Sequence, residues 1–232
     1  MFKMQLRTVL LTVTFAAMCI AQTSSLEALK AGAESAGAEF HGNPDVIKLP
    51  PPDTTGGLPL MRALKLRMSS RNFSAKPLSL QIVSDLLWAA FGVNRADGRR
   101  TAPSAMNWQE TDIYLVTADG LFEYVPPSHS LLRMSNKDLR VYTGTQDFVK
   151  DAPLSLVYVA DISRAKGATE DDRMLWVGAD CGFIAQNVYL YAASAGLACV
   201  VRGSIEKRRL ANVMQLRPNQ KIILAQTVGY HK

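Results

Sequence analysis

GADCGFIAQNVYLYAASAGL, residues 178–197, is apolar on more than one side of a helical wheel. Ala179, Phe183, Gln186, Leu190 and Ala193 share one face at the 3.6-residue period, and Ile184, Val188 and Ala192 share another. A helix apolar on several sides is normally buried. The pattern extends back to about Glu170 and forward to Ala195. Gly196, which can take the left-handed conformation, supplies its end.

Downstream, Cys199 to Val201 reads as a short strand. A helix then starts at Ser204 and runs to about Leu216, halted by Pro218, and Ile222 to Val228 is a last strand. Upstream, LSLVYVA (154–160) is a continuous apolar run that suits a central strand covered on both faces. From Thr111 the period is two, Asp119-Gly120 marks a turn and LFEYV follows, which predicts a β-hairpin. Leu80, Val83, Leu87 and Ala90 form a helical stripe widened by Ile82 and Leu86, with Ser79 as N-cap and Gly92 as stop. Leu60 to Ser70 has helical spacing, with Leu60, Leu64 and Met68 on one face. The layout is α+β: a central, mostly antiparallel sheet flanked by helices, without internal repeats.

Composition agrees with an ordinary globular chain: 232 residues, 48% hydrophobic and 20% charged. Lys3 and Arg7 followed by the apolar run Val9–Ala21 match a secretory signal, and the run is too short to span a bilayer. Cleavage after Ala21 is favoured over a lipoprotein at Cys19 or an uncleaved anchor. Residues 22–57, with the run LPPPDTTGG, read as a Pro-rich tail or linker draped over the domain, and the compact part begins near Leu58. Loss of Lys3 and Arg7 lowers the net charge from +6 to +4. The remaining basic residues are scattered rather than gathered on one element between aromatics, which argues against a nucleic-acid binder. Cys181 and Cys199 sit in apolar stretches and read as buried thiols, with a bridge between them open as an alternative in an oxidising compartment. The three histidines are far apart, and no metal motif is present.

Three clusters carry possible chemistry. In RMSSR (67–71), helical spacing would bring Arg67 and Arg71 to one face with Ser69 between them, a grip suited to a phosphate monoester. In PSAMNWQ (103–109), Pro103 and Ser104 favour a defined loop, and the amides of Asn107 and Gln109 can read the polar edge of a heterocycle. In VVRG (200–203), Gly203 lets backbone approach a flat ligand closely. Each alone is more economically a solvated surface, a plain loop or an ordinary connection.

In this order, Arg-x-Ser-x-Arg, Pro-Ser-Ala-x-Asn-x-Gln and a helix ending in Ala-Gly-Leu resemble the nitroreductase family, over roughly Leu58 to Lys232. FVKDAPLSLVYVAD (148–161) is similar to that family's central strand and its lead-in. The LPPP lead and the VGYHK ending look most like the azoline dehydrogenase branch (thiazole/oxazole-forming). The resemblance implies FMN held non-covalently at a homodimer interface. Arg67, Ser69, Arg71 and the Met68 backbone would bind its phosphate and ribityl chain. Pro103, Ser104 and Ala105 would reach it from the second chain, with Asn107 as a polar contact. Val201, Arg202 and Gly203 would supply backbone near N5, and helix 178–195, through Ala179, Gly182 and Ala185, would form part of the dimer core. Two departures stand out. Glu110-Thr111 replaces the family's common Pro-Trp, and only His231 and Lys232 follow the last strand where many members carry phosphate-gripping basic residues.

The implied activity is hydride transfer to or from FMN N5 with a small organic substrate stacked on the ring, and with Arg202 as a candidate positive group near the pyrimidine end. No side chain stands out as a catalytic acid or base. Export would separate the enzyme from cytosolic NAD(P)H, so substrate oxidation with electrons passed to oxygen or a quinone is the expectation. The alternative is a member that keeps the fold but binds a ligand or partner without redox catalysis.

Overall fold

The computed structural model describes residues 46–232, so the signal expected at 1–21 and most of the expected tail lie outside the described residues. The stretch that decides the fold is a 25-residue helix, Glu170–Ser194 (here α3). The Thr169 hydroxyl accepts from Asp172 N at its start, where three acidic residues face the positive end of the helix dipole. Gly196 at φ +67° ends it, and Leu197 N donates back to the Ala192 carbonyl. That six-to-one bond satisfies an orphan carbonyl of the last turn.

Seven strands form one sheet: β1 (Val46–Lys48), β2 (Thr111–Thr117), β3 (Gly120–Val125), β4 (Ser130–Ser135), β5 (Leu154–Asp161), β6 (Ala198–Arg202) and β7 (Gln220–Gly229). Their order is β1-β4-β3-β2-β5-β7-β6, and every neighbouring pair is antiparallel. The α+β architecture with a mostly antiparallel sheet is therefore as the sequence predicts. β5 is buried along its whole length, with Leu154, Leu156 and Tyr158 facing one layer and Val157 and Val159 the other. The first layer holds α2 (Leu80–Phe91) and α3, and the second holds α4 (Lys207–Val213) through Leu210. A buried polar knot ties α3 to the sheet: the Tyr158 hydroxyl donates to Gln226 Oε1, and Gln226 Nε2 donates to the Ala185 carbonyl and to Cys199 Sγ. Among the described residues no helix is long and apolar enough to cross a membrane.

Several boundaries differ from expectation. α1 spans only Leu60–Leu66, short of Ser70, and Leu60, Leu64 and Met68 are exposed. From Arg67 the chain is extended, because Ser70 N donates to the Cys199 carbonyl of edge strand β6 instead of continuing the helix. The expected helix at Ser204 starts at Lys207, the Ser204 carbonyl being taken by Thr145 N. The hairpin turn is Ala118-Asp119, with Gly120 already paired to Thr117. Residues 46–53, read as tail, lie on the sheet edge and α2: β1 pairs with β4, Gln81 Nε2 donates to the Pro51 carbonyl, and Asp85 accepts from Asp53 N. Cys181 and Cys199 are free and buried, which removes the bridge alternative. Burial pushes both thiols up to about 12.

Candidate functional site

The extended segment 67–74 runs beside the β6–β7 edge. Ser70 N donates to the Cys199 carbonyl, Ser74 N donates to the Tyr230 carbonyl, and Phe73 bridges to His231. Arg67 and Arg71 therefore do not share a helix face; they stand on a non-helical segment, Arg67 half-buried and Arg71 exposed. The chain end comes to the same place, since Lys232 N donates to the Asn72 carbonyl. His231 and Lys232, which follow the last strand, thus lie beside the segment that carries Arg71.

The third cluster meets the first through a residue that the sequence does not single out. Tyr189, nearly buried on α3, receives Val201 N on its hydroxyl at 2.9 Å and shares a hydrogen bond with Ser69 Oγ at 2.8 Å. The Arg67 guanidinium lies over its ring, 5.2 Å from the centroid. The sequence shows only the i, i+4 spacing of Tyr189 from Ala185 on the buried face, and that signal reads as core. Gly203 is exposed, and a Cβ built on it would meet no heavy atom within 4 Å, so the backbone there is open to a ligand. The Arg202 side chain, expected to place positive charge near a ring, is 5% exposed. It donates to the Thr143 carbonyl at 2.7 Å and to the Thr227 and Ser155 hydroxyls at 2.6 and 3.3 Å. Burial pushes its pKa down to about 10. Its backbone, not its guanidinium, borders the open ground at Gly203.

The second cluster is elsewhere. Ala105 N donates to Asp180 on α3, nine residues before Tyr189 and so about 13 Å away along the helix at 1.5 Å per residue. Met106, Asn107 and Gln109 all have positive φ (51°, 55° and 47°), a run of left-handed non-glycine backbone that only dense local bonding sustains. Ser104 Oγ accepts from Gln109 N and donates to Glu110, Arg100 Nε donates to Gln109 Oε1, and Gln109 Nε2 donates to Asn107 Oδ1. Glu110, fully buried, anchors the loop from below. Burial first and Asp180 second push its carboxyl above the ordinary range. Pro103 and Asn107 are exposed, and Met106 is 71% exposed. Trp108 is half-buried against Trp176 at 5.6 Å. Within one chain the structure brings Arg67, Ser69, Val201 and Gly203 together, while Pro103, Ser104, Ala105 and Asn107 form a separate projecting loop.

Between the two regions α3 shows a face that one chain leaves uncovered. Leu175 is 68% and Phe183 48% exposed, and Gly178, Ala179, Gly182 and Gln186 are exposed with them. The helix is therefore not buried on all sides as its composition predicts; only the face with Val177, Cys181, Ile184, Val188 and Ala192 is.

Comparison with known proteins places this geometry. A Ralstonia eutropha structure described provisionally as a nitroreductase is 47% identical, covers 81% of this chain and 90% of its own, and superposes with a TM-score of 0.77. A Methanocaldococcus jannaschii protein named provisionally as a nitroreductase is 30% identical over 161 residues, 65% of this chain and 81% of its own. A Desulfovibrio desulfuricans structure, itself in complex with FMN, is 20% identical with a TM-score of 0.56 over 76% of this chain and 88% of its own, a likeness of fold alone. The profile of the Nitroreductase family matches residues 64–230, which takes in all three clusters and the helix between them, so the chain belongs to the nitroreductase family.

Proposed function

We propose that this chain is an FMN-dependent oxidoreductase that acts on a small organic substrate as a homodimer. The observation that carries the reading is the Tyr189 hydroxyl, which gathers Ser69 and Val201 N under the Arg67 guanidinium, with the exposed Arg71 two residues beyond Ser69. The residues fit the cofactor. Two guanidinium groups and a hydroxyl match a phosphate monoester, and the open backbone at Gly203 leaves room for a flat ring. Arg67, Ser69, Arg71 and the Met68 backbone would hold the phosphate and ribityl chain, with Lys232 adding charge. Val201, Arg202 and Gly203 would line the ring with backbone. Bound flavin supplies the hydride chemistry at N5, and the chain's own part is to bind, orient and exclude water.

Pro103, Ser104, Ala105 and Asn107 would complete the site from a second copy. Their distance from Tyr189 within one chain and the uncovered apolar stripe on α3 support that arrangement. The LPPP lead and the VGYHK ending favour the azoline dehydrogenase-like branch, and the Lys3/Arg7 start with the apolar run to Ala21 favours export and a donor other than NAD(P)H. Absorbance of the purified protein tests the central reading. A yellow dimer with a flavin band is the expected result. A colourless protein that FMN does not reconstitute would leave the binding-only alternative.

A further inference from the structure

Tyr189 has two hydrogen-bond partners among the described residues, and they differ in kind. Val201 N can only donate, so the Tyr189 oxygen is the acceptor of that bond, at 2.9 Å. The bond to Ser69 Oγ, at 2.8 Å, allows either direction by geometry. If Ser69 donated, the Tyr189 hydrogen would sit buried with no acceptor, which buried hydroxyls avoid. The Tyr189 hydroxyl therefore donates to Ser69 Oγ, and the Ser69 hydrogen points elsewhere. Ser69 is exposed, beside Arg67 and two residues from Arg71.

We infer that Tyr189 is a positioning residue that orders a one-way chain of hydrogen bonds, Val201 N–H to Tyr189 O–H to Ser69 O–H, and so fixes Ser69 as a donor to an anionic ligand oxygen, the phosphate of FMN. The inference rests on the flavin reading above. The chain does two things. Tyr189 ties the segment that would grip the phosphate to the strand that would border the ring, so the two halves of the site keep a common spacing. It also aims Ser69: a hydroxyl that already accepts the Tyr189 hydrogen is polarised to offer its own proton to a phosphate oxygen. Successive bonds in such a chain polarise one another.

FMN and riboflavin affinities, measured by flavin fluorescence quenching on the full chain, test this. The variants are Y189F, S69A, the double variant and S69T. Y189F keeps the ring under Arg67 and removes only the hydroxyl. We expect Y189F and S69A each to weaken FMN binding about 10-fold, the loss of one charge-assisted hydrogen bond. The double variant should lose no more than either single one, and S69T, which keeps a hydroxyl, should recover most of the affinity. Riboflavin, without the phosphate, should bind all five proteins alike. Losses that multiply in the double variant, an unchanged Y189F, or equal losses for riboflavin would each overturn the relay while leaving FMN binding intact. If Y189F does not fold, the FMN-to-riboflavin affinity ratio of S69A decides in its place: a ratio equal to that of the wild type overturns the relay. Failure of the wild type to bind FMN would instead sink the flavin reading, and the relay with it.

Discussion

Arg202 is a buried guanidinium held by a carbonyl and two hydroxyls, and its neighbours are shaped around it. A Cβ added at Gly144 would stand 1.9 Å from Arg202 Nη1, with Gln146 Oε1 and Val149 Cγ1 at 3.0 and 3.1 Å. Gly144→Ala should therefore cost about 1–3 kcal/mol of overpacking. In an Arg202→Ala background most of that cost should vanish, since the clashing atom is gone. Urea unfolding of the four proteins in this cycle measures the coupling, and additive costs would mean that the contact is not what makes Gly144 necessary. Glu123 gives a pH prediction. Burial, then the charge of Asp112, pushes its carboxyl up to about 7. A raised carboxyl stabilises the fold fully below its unfolded pKa near 4.5, and that contribution is lost as pH rises through about 7. The wild type should thus lose thermal stability between pH 5 and pH 8 relative to Glu123→Gln, which carries no proton to lose. Parallel pH profiles of Tm for the two proteins would refute this.

The elements that are legible in the sequence are those whose signals are local. Ser79 caps α2 as its hydroxyl suggests, Gly196 takes its left-handed turn, and the LSLVYVA run is an interior strand covered on both faces. α1 and α4 are shorter than their patterns because tertiary partners took the backbone: Cys199 claims Ser70 N, and Thr145 claims the Ser204 carbonyl. No local pattern announces either bond. The site is legible only in pieces. Arg67, Ser69 and the Val201–Gly203 stretch are in view, but Tyr189, which joins them, looks like any core aromatic at a buried helical position, and Arg202, read as a positive group near the ring, is held in the core by Thr143, Ser155 and Thr227. α3 also separates two costs that a glycine substitution can carry. Gly196→Ala meets no neighbour within 4 Å, so its whole effect is the φ of +67°, about 1–2 kcal/mol for a residue with a Cβ. Its chemical denaturation midpoint should fall accordingly, and no Arg202 variant should relieve it, in contrast to Gly144→Ala.

At the scale of the molecule, the same helix that ties the sheet together on one side carries Leu175, Gly178, Ala179, Gly182 and Phe183 open on the other. A Cβ at Gly178 or Gly182 would touch nothing within 4 Å, so the small residues are not there for packing within the chain. Small residues flanked by a large apolar one allow close approach of a second helix, and contiguous apolar surface of this kind marks an interaction face. If a second copy covers it, the projecting loop 103–107 is carried to the partner, and the flavin site proposed above is complete only in the pair. Phe183→Asp should then do two things at once. It places a charge at the centre of the face, so light scattering should report a monomer, while circular dichroism remains that of the wild type because Phe183 makes no part of the buried core. FMN affinity should fall with it, on the order of 100-fold for the contacts of a whole loop, about 2.7 kcal/mol. A Phe183→Asp monomer that binds FMN as tightly as the wild type would show that Arg67, Ser69, Arg71 and the β6 backbone suffice alone, and would leave the bonding beneath the 103–109 loop to be explained by stability rather than by cofactor binding.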